Sequence, residues 1–254
     1  LGRTHPDIAE CILELGNFYL AIGDFDQCEP ILLSALDVRI SAFGNDSNEV
    51  ANTLKLLARM YRKMGRYDRA EEFYRRTLEV KEHMFGPEHQ DIAECLRSIA
   101  NNYSYQGMYA DAEPLYKRSL EMYERTLGVN HPEVATNLHN LAVLYYKMGR
   151  DSEAATLYRR SLELFSSVLG TEHPEVASTM LSMAKFYEEK GKYDKAENLC
   201  RMAVSIFEKH FGTNHPHTGS AMQDLAEVYR AQGRSLEADK LRAQAEAILS
   251  PADQ

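Results

Sequence analysis

Residues 131–172 read HPEVATNLHNLAVLYYKMGRDSEAATLYRRSLELFSSVLGTE, and this stretch decides the fold. From His131 to Met148 the residues Val134, Leu138, Leu141, Ala142 and Tyr145 recur at steps of three and four, which marks one buried face of an amphipathic helix. Gly149 ends that helix, because glycine is free to take a positive φ at a helix C-terminus. A second helix runs from about Asp151 to Val168, with Ala154, Leu157, Tyr158, Ser161, Leu162 and Leu164 on its buried side, and Gly170 closes it. His173-Pro174 then opens the next unit, since proline is tolerated in a first helical turn where its missing N–H costs little.

The same unit recurs on both sides of this stretch. Gly2, Gly44, Gly86, Gly128, Gly170 and Gly212 are spaced by 42 residues. So are Gly23, Gly65, Gly107, Gly149, Gly191 and Gly233, and so are Tyr19, Tyr61, Tyr103, Tyr145, Tyr187 and Tyr229. Gly16, Ala58, Ala100, Ala142, Ala184 and Ala226 are small where the two helices of a unit approach closely. They face a second small series, Cys28, Ala70, Ala112, Ala154, Ala196 and Ala238. His5-Pro6, His131-Pro132 and His215-Pro216 repeat the helix-start device, whereas Ser47-Asn48 and His89-Gln90 lack the proline. Asp7, Glu49, Asp91, Glu133 and Glu175 follow in the first turn, where they favour the helix dipole. The tyrosines are expected to bury their rings between helices and to tie a backbone carbonyl with the hydroxyl.

These residues resemble the tetratricopeptide repeat (TPR): a small residue, an aromatic three later, Gly, then Ala and an aromatic in the second helix. The long period, with L-G-x-x-H-P-[DE]-V-A between units, is similar to kinesin light chains and nephrocystin-type proteins. The extra residues over the ordinary repeat of about 34 add about two helical turns. The resemblance implies an all-α, right-handed α-solenoid of six TPR helix-turn-helix repeats. We read one array over residues 1–249, with repeats at about 3–44, 45–86, 87–128, 129–170, 171–212 and 213–249, and a tail at 250–254. Leu1-Gly2 matches Leu127-Gly128, the tail of a unit, which suggests an excised piece with a further repeat upstream. At the other end Arg242 and Glu246 replace the pairs Tyr74 and Leu78, Tyr116 and Leu120, Tyr158 and Leu162, and Cys200 and Val204, so the sixth unit reads as a polar cap.

Composition narrows the function. Of 254 residues, 44% are hydrophobic and 26% charged, enough for a packed core. The net charge of −9 argues against general nucleic-acid binding, which needs a basic surface. No apolar run approaches the roughly 18–20 residues that span a bilayer, and no leader pattern opens the chain. Cys11, Cys28, Cys95 and Cys200 form no C-x-x-C pair and read as free thiols of a cytoplasmic protein. His5, His89, His131, His173 and His215 lie a whole number of repeats apart, along an array and not around a metal, so we expect helix-start residues and no metal or cofactor. Phosphate-loop, dinucleotide, zinc-protease and nucleophile-elbow motifs are absent, and Glu71-Glu72 and Glu188-Glu189 read as solvated faces; the chain reads as a non-enzyme.

Counting around the first helices assigns the residues of the inner groove. They are Asn52, Lys55, Leu56, Arg59, Arg62 and Lys63 in the second unit; Glu94, Arg97, Ser98, Asn101, Ser104 and Tyr105 in the third; and Thr136, His139, Asn140, Val143, Tyr146 and Lys147 in the fourth. This middle stretch is basic, with acidic ends: Glu10, Glu14 and Asn17 in the first unit, Lys185, Glu188 and Glu189 in the fifth, and Asp224, Glu227 and Arg230 in the sixth. The expected ligand is an acidic linear peptide of a protein partner, with Tyr105 and Tyr146 offering apolar contact and Asn101 and Asn140 donating to peptide carbonyls. The resemblance implies a Leu-Asn-Asn-Leu-Ala pattern for that task; Leu138-His139-Asn140-Leu141-Ala142 comes nearest, while Leu56, Ser98, Ser182 and Asp224 stand at the matching place elsewhere. An adaptor or scaffold module follows. The rival readings are a structural spacer or self-association module, and a regulatory array belonging to a larger enzyme.

Overall fold

Each 42-residue unit folds as a pair of antiparallel helices. The computed structural model describes residues 6–250, with side chains from Glu10 onward. His5, Leu1-Gly2, the Asp7 side chain and residues 251–254 of the tail lie outside the described residues. The pairs are α1 (Pro6–Ile22) with α2 (Phe25–Phe43), α3 (Asn48–Lys63) with α4 (Tyr67–Phe85), and α5 (Gln90–Tyr105) with α6 (Tyr109–Leu127). They continue as α7 (Pro132–Lys147) with α8 (Asp151–Leu169), α9 (Pro174–Glu189) with α10 (Tyr193–Phe211), and α11 (Pro216–Ala231) with α12 (Ser235–Leu249). Among the described residues there is no strand. The chain divides into two compact units, Leu1–Gly128 and Val129–Gln254, each built from three successive pairs.

The helix boundaries follow from the residues at them. At the end of α7 the Arg150 N–H bonds the Tyr145 carbonyl at 2.8 Å and the Gly149 N–H bonds the Tyr146 carbonyl at 3.0 Å. This Schellman turn needs a left-handed residue, which Gly149 supplies at φ +73°. Gly170, at φ 90° and ψ 153°, occupies a region open essentially to glycine alone. The helix-start histidines are N-caps. Nδ1 of His89, His131, His173 and His215 accepts the backbone N–H two residues on, at 3.2 Å in each case. Ser47 does the same work for α3, accepting from Val50 N at 3.3 Å. Phe85 stacks on His89 and Phe211 on His215, at 4.4 and 4.5 Å between centroids, which fixes both rings.

Within a pair the small-residue seam is as tight as the sequence implies. Ala58, Ala100 and Ala142 are fully buried, as are Ala70, Ala112 and Ala154 opposite them. In the first pair the Cys28 thiol donates to the Gly16 carbonyl at 3.3 Å, and a Cβ on Gly16 would sit 2.5 Å from Leu32 Cδ2. Ser119 and Ser161 stitch the pairs further by donating to the carbonyls of Ala93 and Ala135 at 2.7 and 2.8 Å.

Two expectations need correction. Two of the repeat tyrosines donate to carboxylates and not to backbone carbonyls: Tyr61 to Glu29 at 2.6 Å and Tyr103 to Glu71 at 2.7 Å, both on the second helix of the preceding repeat. A carboxylate there is charge-assisted and outcompetes a carbonyl already used in a helix. Burial first, and then Glu29, lift the Tyr61 phenol to about 12. For the same reason Glu71 is no solvated face. It is half-buried at the seam and bridged to Arg75, whereas Glu72 is exposed and paired with Arg69 at 3.0 Å.

Between pairs the second helix packs on the next first helix. Arg39 of α2 is 4% exposed; it donates to the Glu49 carbonyl and Thr53 Oγ1 of α3 and pairs with Glu10 of α1 at 2.5 Å. Lys81, one repeat on, is 8% exposed and meets Asp91 at 2.6 Å and Asn48 at 2.7 Å. On α1 the register-equivalent face leaves Leu15, Phe18 and Ile22 exposed, whereas their α3 counterparts Leu57 and Met60 are buried. On α12, Arg242 and Glu246 are exposed and paired at 2.8 Å.

Candidate functional site

The first helices carry the candidate surface, touching one another at α1–α3, α7–α9 and α9–α11. In the first unit the wall of α3 and α5 is organised by tyrosines. Arg62 is half-buried, its guanidinium 4.7 Å from the centroid of Tyr105 and hydrogen-bonded to the Tyr74 hydroxyl. Burial opposes its charge, yet Tyr74 and Tyr105 more than offset that and hold its pKa above the ordinary arginine value. Burial pushes the Tyr74 phenol up, while Arg62 and Arg59 pull it down. Burial likewise raises Tyr116, against the pull of Arg97 and Arg62. Arg62 is therefore held by Tyr74 and Tyr105, while Arg59 acts on Tyr74 and Arg97 on Tyr116 through their charge. Tyr105 is 58% exposed and carries the Arg62 guanidinium on its ring.

The remaining predicted residues of this wall divide by environment. Asn52 and Arg59 are exposed on α3. Lys55 is paired with Glu94 at 2.6 Å, which removes both from the count of unbalanced charge. Lys63 is exposed but extends back to the Leu20 carbonyl at 3.3 Å. Arg97 is half-buried with its guanidinium 5.2 Å from the Tyr123 ring. Asn101 accepts the Tyr116 hydroxyl on Oδ1 at 2.5 Å, and this bond orients its amide nitrogen as a donor.

The second unit repeats the geometry with different chemistry. Tyr146, Tyr158 and Glu189 stand where Arg62, Tyr74 and Tyr105 stand in the first. The Tyr146 hydroxyl donates to Glu189, and burial followed by this carboxylate raises its pKa. Tyr146 packs edge-on against Phe186 at 5.8 Å, and Phe186 meets Tyr158 at 6.0 Å. His139 lies edge-on to Tyr158 at 5.7 Å, with Nε2 3.4 Å from Ser182 Oγ. Burial lowers its pKa to about 4, so it is neutral at physiological pH and brings no charge to the wall. Asn140 is half-buried and Lys147 exposed. Farther along, α9 and α11 carry Glu188, Asp224 and Glu227.

Tyr74, Tyr116 and Tyr158 were read from sequence as packing between repeats. Their 42-residue spacing was legible; that arginines would act on Tyr74 and Tyr116, and Tyr146 and Glu189 on Tyr158, was not. Burial pushes the thiols of Cys95 and Cys200 to about 12, which makes neither a nucleophile at neutral pH. Among the described residues no three His, Cys, Asp or Glu side chains gather around a metal-sized space. No helix among them is long and apolar enough to cross a membrane.

Known structures share this architecture. A kinesin light chain of Podosopora anserina with nearly identical TPR-like repeats is similar at 26% identity over 78% of this chain and 93% of that one, with a TM-score of 0.64. BtubC (BKLC) from P. vanneervenii is similar in fold at 21% identity, covering 92% of this chain and 90% of that one, with a TM-score of 0.68. A Rap protein complexed with Competence and Sporulation Factor shares the fold at 14% identity, over 96% and 77%, with a TM-score of 0.65. No curated protein matches the chain. The tetratricopeptide repeat family matches it at residues 8–83, 82–125, 91–167, 153–209 and 175–250. With six helix pairs in that register and those matches end to end, the chain belongs to the tetratricopeptide repeat family, an all-α solenoid fold of protein–protein interaction modules.

Proposed function

We propose that the chain is a non-catalytic adaptor or scaffold module that takes an acidic linear peptide on the first-helix wall of its second and third repeats. The observation that carries this reading is the row of cations set on aromatic rings, Arg62 on Tyr105 and hydrogen-bonded to Tyr74 and Arg97 on Tyr123, with Arg59 and Tyr105 exposed beside them. The Tyr74 hydroxyl and the Tyr105 ring hold the Arg62 guanidinium without neutralising it, which a carboxylate partner would do. A peptide carboxylate arriving there meets cations already oriented, so little side-chain entropy is lost on binding. Asn52, Lys63 and Asn101 extend the wall with further donors, and in the other unit Asn140, Tyr146 and Lys147 stand on the first helix of the fourth repeat as a separate set of ligand contacts. Lys55 contributes only where a ligand displaces Glu94, and His139 contributes shape and no charge. With its four cysteines as free thiols, the reading places the module in the cytoplasm.

The test uses a fluorescein-labelled decapeptide carrying three glutamates around one leucine, titrated into the chain and followed by anisotropy. Arg59→Glu with Arg97→Glu is expected to weaken binding at least tenfold while helicity stays near wild type; the exposed Arg59 contributes little to folding, and Arg97→Gln, which keeps the half-buried site beside Tyr123 uncharged, serves as the control for any loss of melting temperature at that site. Raising salt from 50 to 300 mM should weaken the wild-type complex, mainly through slower association. Affinity that survives both the charge reversal and the salt would overturn the reading.

A further inference from the structure

The helix-start histidines differ in what stands behind them. Nδ1 of His89, His131, His173 and His215 accepts a backbone N–H at 3.2 Å in each case, so each Nδ1 carries no proton. At the first three the donor belongs to an acidic residue in the first turn of the helix, Asp91, Glu133 or Glu175. The Asp91 carboxylate lies 3.4 Å from His89 Nδ1, placed to hold that ring once it gains a proton. At α11 the donor is His217, and the first turn holds no acid. The rings of His215 and His217 are 5.1 Å apart, with Phe211 stacked on His215 at 4.5 Å and Phe207 on His217 at 5.7 Å. His215 is half-buried and His217 exposed, so protons from solvent reach both. From α10, Lys209 and His210 stand in the last turn, with Lys209 paired to Glu172 and His210 6.4 Å from His173. Glu208 lines a cavity with Thr213, Met222 and Gln244, and α12 turns the apolar Ile248 and Leu249 toward Gly219.

We propose that the turn between α10 and α11 is an acid-sensitive joint, in which proton uptake by His215 and His217 uncaps α11 and loosens the sixth helix pair from the fifth. A proton on His215 Nδ1 turns the acceptor into a donor facing the His217 N–H, and the cap is lost. A proton on His217 adds a second positive charge beside the first, at a helix end whose dipole already disfavours cations. At α5, α7 and α9 the first-turn carboxylate offsets both effects. His210 lies at the C-terminal end of α10, where positive charge is favoured, so its charging does not oppose the fold. Histidine is the side chain whose charge ordinarily changes between pH 5 and 8. The joint is closed above that range and opens as pH falls through it, because the open helix end takes up a proton that the closed cap excludes.

Hydrogen exchange on the full chain at about pH 7.5 and about pH 5, corrected for the intrinsic rate at each pH, tests the joint by comparing residues 213–222 with the starts of α5, α7 and α9. On acidification, protection over 213–222 is expected to fall roughly fivefold further than at the three references, about the worth of one N-cap. His215→Ser should keep the neutral-pH protection, as Ser47 caps α3 with a hydroxyl that does not titrate, and should abolish the acid response. His217→Asp should reduce the response to that of α5, whose first turn carries the same residue type. A fall over 213–222 no larger than at the references overturns the joint. A response that persists unchanged in His215→Ser also overturns it, because the proton would then act elsewhere.

Discussion

Residues 1–128 and 129–254 are two versions of one scaffold, and their differences separate what the repeat fixes from what it leaves open. Both units share the glycine turns, and apart from the Ser47 cap and the Gly16–Cys28 contact of the first unit they share histidine N-caps and alanine seams. They diverge where one repeat meets the next. The first unit buries Arg39 and Lys81 at the helix seam; the positions one and two repeats beyond Tyr123 in the same series are Phe165 and Phe207. The first unit floors its inner wall with Arg62, Tyr74 and Tyr105, the second with Tyr146, Tyr158 and Glu189. Packing within a pair is thus the invariant layer, and charge on the seams is an assignable one. The sign of the wall changes from cationic to anionic without any change of fold.

The largest effect comes from exchanging the seam chemistry. Lys81 meets Asp91 as an ion pair, whereas at the same register Phe207 stacks on His217, 5.7 Å away and 25° from parallel. The partner changes with the residue: His217 stands where Asp91, Glu133 and Glu175 are acidic. Phe207→Lys should therefore cost about 3–5 kcal/mol, since it removes a buried ring and leaves an ammonium group facing no carboxylate. Adding His217→Asp should return at least half of that loss. Chemical denaturation followed by circular dichroism measures both, and failure of the second substitution to rescue the first would show that the two seams are not interchangeable.

A smaller and symmetric loss is expected at the alanine seam. Ala58 in the first unit and Ala142 in the second are both fully buried against the partner helix. Leucine at either position overpacks the contact and should cost roughly 1–3 kcal/mol, to a similar extent in both units. The loss should spread into neighbouring repeats, because each is stabilised by the next. Melting that changes for one and not the other would break the view that this layer is shared.

How much of this the sequence carried differs between the two layers. The helix pairs, their caps and the small-residue seams were legible, because a 42-residue recurrence of Gly, Ala, Tyr and His constrains backbone geometry locally. The wall was legible as a set of positions and only partly as chemistry. Lys55 and Arg62 look alike in sequence, yet one is consumed by Glu94 and the other held by tyrosines, a distinction set by residues about 40 and 12 positions away. His139 looked like a polar groove residue and is a neutral half-core one, because Tyr158 and Ser182 come to it from other helices. The Glu29, Glu71, Glu113 and Glu197 series was in the sequence at the repeat spacing, and it would have pointed to the tyrosine partners.

That series supplies the finest test, because it fails once. Position 155 is alanine where 29, 71, 113 and 197 are glutamate, so Tyr187 lacks the carboxylate that receives Tyr61 and Tyr103. Its ring instead lies under Lys192 and Lys195, at 5.9 and 5.4 Å from the two ammonium groups. Tyr61→Phe should cost about 1 kcal/mol, the ordinary net worth of a hydrogen bond, with some added penalty because Glu29 loses its donor at a half-buried site. Tyr187→Phe should change stability by less than about 0.5 kcal/mol, since no such bond is broken. Ala155→Glu should then install the missing acceptor, raise stability by about 0.5–1 kcal/mol, and make a subsequent Tyr187→Phe as costly as Tyr61→Phe. The double-mutant coupling between residues 155 and 187 is the number that decides it: a coupling near zero would mean that the tyrosine series is held by ring packing alone, and that the carboxylates merely accompany it.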